Sequence, residues 1–183
     1  MIQADNPEEY IYIGVGSNIE PEINIPKSLH ELKKYLDILN ISPVFITPPI
    51  GVSKKQPDFF NCIVETKLIE EMTPIDLKFN VLRNIEKQLK RVRSIDKYAP
   101  RTIDLDILLF RDTIINSEDF VIPDPDIFSR DFLFAGLLYL NPNLIIYPKN
   151  LPLLSFVSCY EIHKLKINCN LTKKLWKEFL HEY

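Results

Sequence analysis

The chain has 183 residues, 46% of them hydrophobic and 26% charged. A chain of that length buries roughly 70% of its unfolded surface, so one domain of this size needs neither a disulfide framework nor a structural metal. The composition excludes a disordered, collagen-like or low-complexity chain. The formal charge, 22 − 25 = −3, excludes a basic nucleic-acid binder.

Three cysteines, Cys62, Cys159 and Cys169, are an odd number without a C-x-x-C pair, which points to reduced thiols and a cytoplasmic setting. The acidic stretch 1–10 lacks the basic start and apolar middle of a secretory signal. The longest apolar runs, near Phe132–Leu140 and Leu144–Tyr147, fall short of a membrane span, so no membrane partner is expected.

Predicted elements alternate strand and helix. Glu9–Gly16 reads as a strand, with Tyr10 and Tyr12 on one face and Ile11 and Ile13 on the other. Pro26 is expected to open a helix whose apolar stripe is Leu29, Leu32, Leu36 and Leu39. Ile41–Ile46 and Phe59–Ile69 read as strands on either side of the proline-rich turn at Thr47-Pro48-Pro49. Thr73, Pro74 and Asp76 form the start signal of a second helix, with Leu82, Ile85 and Leu89 buried and Val81 alongside. Thr102–Phe110 is a further strand, and the short apolar pairs Ile114-Ile115 and Val121-Ile122 follow. Ser129 is the expected cap of a third helix that Asn141-Pro142 stops. Leu171, Leu175 and Phe179 mark an amphipathic C-terminal helix. The pattern is α+β, with a mixed or antiparallel sheet and helices packed on it.

The strongest chemical signal is Arg101-Thr102-Ile103-Asp104-Leu105-Asp106. Alternate residues of a strand share a face, so Asp104 and Asp106 stand together, roughly 6.6–7 Å apart along the backbone. Ile103, Leu105, Ile107 and Leu109 then point into the core. Two carboxylates so placed repel by about 2 kcal/mol at an effective dielectric of ~20. An arginine, a proton or a bound cation has to offset this. Mg²⁺ suits such a pair, because it keeps water and substrate phosphates as its other ligands. The bland alternative is a solvated face paired with arginine.

Between Lys87 and Arg101 there are six bases (Lys87, Lys90, Arg91, Arg93, Lys97, Arg101) against Asp96 alone. Guanidinium groups beside a carboxylate pair are what a polyphosphate–metal site requires. Only Tyr98 interleaves those bases, so a nucleic-acid stacking surface is not expected. Gly14-Val15-Gly16-Ser17-Asn18-Ile19 lacks the third glycine of a dinucleotide fingerprint. It reads as a strand-ending turn, or as a close backbone approach to a ligand with Ser17 and Asn18 as polar contacts. Cys62, on a strand, reads as core. Phe59 and Asn61 share one side of their strand, an aromatic wall beside an amide that suits a flat heterocycle.

Together these segments resemble the 6-hydroxymethyl-7,8-dihydropterin pyrophosphokinase family. The matching pieces are Gly16-Ser17-Asn18, Thr47-Pro48-Pro49, Gln56-Pro57-Asp58-Phe59-Phe60-Asn61, Arg91-Val92-Arg93, Pro100 to Asp106, and Arg130 with Phe132. They cover about 10–148 of one domain spanning 1–183, and the tail 155–183 has no counterpart. The resemblance implies a ferredoxin-like sandwich. It also implies pyrophosphoryl transfer from ATP to the pterin hydroxymethyl group, with small-molecule partners only. By that likeness Asp104 and Asp106 hold two Mg²⁺, and Arg91 and Arg101 join them in catalysis. ATP contacts extend to Arg93, Ile107, Asp124 and Arg130. Thr47, Pro48, Ile50, Phe59, Asn61 and Phe132 take the pterin.

Three positions depart from the pattern. Asp124-Pro125 stands where many members have a histidine, Tyr98-Ala99 replaces a frequent Trp-Gly, and Asp131 replaces a small residue. The alternatives are a non-catalytic pterin- or nucleotide-binding protein of the same fold and a ferredoxin-like interaction module.

Overall fold

The computed structural model describes residues 10–51, 56–93, 96, 99–146 and 151–180. Strand β1, Ile11–Ser17, alternates as expected, with Ile11, Ile13 and Val15 in one core and Tyr12 in another. Helix α1 is Pro21–Leu32. Pro21 opens it and Pro26 lies inside it, contrary to the expected start. Proline inside a helix leaves the carbonyl four residues back without its donor. That carbonyl belongs to Glu22, and Lys174 Nζ reaches it at 3.4 Å. The leucine spacing also misleads at the other end. Lys33 to Tyr35 form a turn, so Leu36 and Leu39 belong to strand β2, Leu36–Ile41, and not to the helix.

The strand expected over Ile41–Ile46 is two pieces, the end of β2 and strand β3, Phe45–Thr47. Pro43 has no N–H to give to a ladder. Ser42 bridges the break, its N–H donating to Ile63 O and its hydroxyl accepting from Ile63 N at 2.8 Å. Both pieces lie on one edge of β4, Phe59–Leu68.

The second helix is α2, Pro74–Asp76, a π-helical stretch, Leu77–Leu82, and α3, Arg83–Gln88. Thr73 Oγ1 caps it by accepting from Asp76 N at 3.1 Å. The π stretch has i→i+5 hydrogen bonds, as from Arg83 N to Lys78 O, which rotates the face that follows. Leu77, Val81, Leu82 and Ile85 are therefore the buried set, and Leu89 is only half-buried against them.

Strand β5, Asp104–Phe110, starts two residues later than expected and carries a bulge against β1 at Leu108. Ile103, Leu105 and Ile107 enter the core as expected, but the bulge turns Leu109 to the opposite face with Leu108. Strands β6, Ile115–Asn116, and β7, Val121–Ile122, pair with each other. Ser129 is not the cap of α4, Asp131–Leu140. Arg130 holds that position, and Ser129 Oγ turns back to Asp126.

Strand β8, Lys166–Ile167, adds to β3. Helix α5, Cys169–Phe179, follows, capped by Asn168, whose Oδ1 accepts from Leu171 N at 2.9 Å. The sheet order is β5-β1-β4-β3-β8, with β2 also on β4, and all pairings are antiparallel. With β2 and β3 counted as one broken strand, this is the βαββαβ arrangement of a ferredoxin-like sandwich. One face of the sheet buries α1, α3 and α5, and α4 covers the other.

The tail is thus part of the main core. Leu171, Leu175 and Phe179 are buried in it, Trp176 Nε1 donates to Ile41 O at 2.8 Å, and Val44 N donates to Thr172 Oγ1 at 2.9 Å. Leu175→Ala should lower the free energy of unfolding by about 2–5 kcal/mol in urea titrations, the range for a buried leucine. A surface tail would give a change near zero.

Candidate functional site

A cavity of about 620 Å³ lies on the α4 side of the sheet, between the ends of β1, β4 and β5 and the start of α4. Of the expected residues it gathers Thr47, Pro48, Ile50, Phe59, Asn61 and Phe132 at its walls, together with Arg101, Asp104, Asp106, Asp124 and Arg130. Arg91, Arg93 and Ile107 do not line it. Ile107 is buried in the main core and borders a smaller cavity of about 300 Å³ on the far side of Asp106.

The backbone explains why the two carboxylates face the space together. Asp104 pairs with Gly16 and Asp106 with Gly14 across β1. Both glycines leave the sheet bare at that point. A Cβ on Gly16 would come within 2.7 Å of Asn61 Oδ1. Asn61 in turn donates to Thr47 Oγ1 at 2.8 Å, which ties β3 to β4 beneath the apolar end of the cavity. Ser17 and Asn18, read either as part of a strand-ending turn or as ligand contacts, bond within the chain. Both are buried; Ser17 Oγ donates to Thr102 O at 2.6 Å, and Asn18 Oδ1 accepts from Arg101 N at 2.7 Å. They clamp the segment that carries Arg101 into β5.

Cations of the chain itself meet the carboxylates. Arg91 binds one oxygen of Asp104 and Arg101 the other. Burial pulls Asp104 upward, but the two guanidinium groups outweigh it and hold the carboxyl below its usual range. Lys78, from the π-helical stretch, places Nζ 2.6 Å from Asp106 Oδ1. Arg101 also lies over the Phe59 ring, 5.7 Å from its centroid, joining the charged and apolar ends.

Sequence reading missed three contributors. Glu86, 3% exposed, binds Arg91, accepts from Arg93 at 2.8 Å and accepts from Leu105 N at 3.0 Å. Burial raises its pKa, with Arg91 opposing. Glu86 holds both arginines beside β5, and an acid on the apolar side of α3 was the available signal. Lys78 is the second. Leu165 is the third; just before β8, it brings the C-terminal segment to the cavity wall. Cys62 is core, its thiol pushed up to about 12 by burial.

The loops expected to close over a nucleotide, 51–56 and 91–99, are described only in part. Residues 52–55, 94, 95, 97 and 98, Lys97 and Tyr98 among them, lie outside the described residues. Of the departing positions, Asp131 lines the cavity, and Asp124 faces it as the cap of a short 3₁₀ turn, accepting from Asp126 N at 2.8 Å. Arg130 pairs with Asp126 at 2.7 Å.

Paired carboxylates, converging guanidinium groups and an apolar slot in one cavity have the make-up of a phosphoryl-transfer site. A family model described as 7,8-dihydro-6-hydroxymethylpterin-pyrophosphokinase (HPPK) matches residues 12–142. A 2-amino-4-hydroxy-6-hydroxymethyldihydropteridine pyrophosphokinase of Aquifex aeolicus is 34% identical over 77% of this chain and 87% of its own length. The protein of that name from Haemophilus influenzae is 30% identical over 86% and 97%. The folic acid synthesis protein fol1 of Pneumocystis carinii is 35% identical over 90% of this chain, which spans 22% of that protein. In structure, Plasmodium falciparum HPPK-DHPS superposes with a TM-score of 0.63 at 14% identity, covering 93% of this chain and 45% of that one, a likeness of fold. The chain belongs to the 6-hydroxymethyl-7,8-dihydropterin pyrophosphokinase family, ATP-dependent diphosphokinases of folate biosynthesis.

Burial raises the Asp124 carboxyl to about 6; the Asp126 N–H works against this and the Asp106 charge adds to it. The folded pKa lies above the ordinary 3.8. The contribution is therefore neutral below about pH 4 and grows unfavourable as pH rises through 6. Asp124→Asn keeps the acceptor and removes the charge. Without divalent cation it should melt with wild type at pH 4 and be more stable at pH 8, on the order of 1–2 kcal/mol after solvent screening. Equal melting at both pH values would contradict this.

Proposed function

We propose that the cavity holds the pterin at its apolar end and the ATP triphosphate at its charged end, and that the pterin hydroxymethyl oxygen attacks the β-phosphorus with AMP as leaving group. The observation that carries this is the junction at Arg101, which touches Asp104 on one side and the Phe59 ring on the other. Phe59 and Phe132 are the walls for the ring, Asn61 and the Thr47-Pro48 backbone its edge contacts, and Ile50, 61% exposed, the outer rim.

Asp104 and Asp106 offer oxygen ligands only, and Asp106 is 47% exposed to the cavity. Among the described residues no group of three or more ligating side chains forms a closed cage. That donor set fits Mg²⁺, which binds through one or two carboxylates and takes its other ligands from water and phosphate. Two Mg²⁺ ions held there would neutralise charge on the phosphate oxygens.

The residues of the chain supply position and charge. With metal on Asp104, Arg91 and Arg101 would bind phosphate oxygens in its place. Guanidinium forks suit that exchange, because carboxylate and phosphate share a bidentate geometry. Arg130, in the cavity wall, is placed for the same use, and Arg93, held by Glu86 behind the wall, backs it. The substrate brings its own nucleophile, so no activated serine or cysteine is required, and holding the reactants in line contributes most of the rate. Three free cysteines support placing this chemistry in a reducing cytoplasm.

The test is AMP release from ATP with the hydroxymethyl dihydropterin, with and without Mg²⁺. Asp104→Ala and Asp106→Ala should each cut turnover by roughly 10²–10³-fold or more while pterin affinity changes little. Pterin binding without AMP above a blank would favour a non-catalytic binder, the reading to which Asp124 lends support. Arg101→Ala should weaken ATP binding and slow turnover together, and a variant unchanged in both would remove Arg101 from the phosphate site.

A further inference from the structure

Lys78 is unlike an ordinary surface lysine. Its side chain is 14% exposed, and its ammonium group is spent on one oxygen of Asp106. It is the one cation in the wall of the smaller cavity among the described residues, and it faces Asp106, Asp119, Asp124 and Asp126 there. The two carboxylates of the site are thus held in different ways. Asp104 is held by two guanidinium groups, for which an arriving polyphosphate provides new partners. Asp106 is held, among the described residues, by one ammonium, that of Lys78 in the wall of the smaller cavity. A divalent cation on Asp106 competes with that ammonium for the same carboxylate and repels it. Asp124 is the acid to which Lys78 can turn, since both line the smaller cavity beside Asp106.

We propose that Lys78 is a positioning residue that occupies Asp106 in the free enzyme, yields it to the divalent cation that accompanies the nucleotide, and then pairs with Asp124. This rests on the metal reading above. Asp106 is kept neutralised until a stronger cation arrives, and the free protein binds divalent ions weakly. The same exchange gives Asp124 a partner when the site is loaded, which accounts for an acid at a position facing phosphate.

The test is Mn²⁺ binding to the full chain without nucleotide or pterin, followed by electron paramagnetic resonance. Lys78→Met should bind Mn²⁺ about tenfold more tightly than wild type, and Lys78→Arg should stay close to wild type. In an Asp106→Asn background, Lys78→Met should shift Mn²⁺ affinity less than about twofold, because the shared carboxylate is gone. Unchanged affinity in Lys78→Met overturns the proposal. So does equal tightening in the Asp106→Asn background, which would make Lys78 a distant background charge. If Lys78→Met does not fold, Lys78→Gln carries the same expectations. Wild type that takes up no Mn²⁺ even with ATP present would instead overturn the metal reading beneath the proposal.

Discussion

The structure turns on the repulsion between two carboxylates that β5 sets side by side. Asp104 and Asp106 face one cavity because their strand alternates and because Gly16 and Gly14 lie opposite them. The chain offsets the repulsion with Arg91, Arg101 and Lys78, drawn from three separate segments. An arrangement that satisfies the acids with the chain's own cations is the one on which the proposed metal and polyphosphate site rests.

Glu86 fixes the basic segment in place. A buried acid bonded to a β5 backbone N–H and to both Arg91 and Arg93 keeps the basic segment beside the strand. An arginine with two acidic partners can give up one and remain placed. Arg91 is such a residue: burial works against its charge, and Asp104 and Glu86 together restore it. The position of Arg91 thus depends on a carboxylate that does not line the cavity.

The sheet keeps the two ends of the cavity in register. Strand β4 is long enough to take β1 on one edge and both β2 and β3 on the other, so Phe59, Asn61 and Thr47 arrive at one place. The C-terminal segment extends the same edge through β8 and is anchored by Leu171, Leu175 and Phe179. Although it lies beyond the family match at 12–142, it is part of the core and brings Leu165 to the cavity.

Local chemistry was legible from the sequence. The period-2 carboxylates, the Thr73-Pro74-Asp76 start signal, the Phe59–Asn61 pair and the apolar spacing of α5 all depend on neighbouring residues, and all appear in the structure. Other features depend on contacts between distant segments. At the Pro26 helix interior, the Glu22 carbonyl is met by Lys174, 152 residues away. Leu109 turns over because of a bulge against β1, and Leu36 joins a strand because β4 is there to pair with it. Ser17 and Asn18 became clamps because Arg101 and Thr102 lie within reach. Composition and spacing determined which groups the chain possesses and on which side of a strand they stand. Which cation meets which acid was decided only when the sheet and helices packed, because that pairing links residues far apart in the chain.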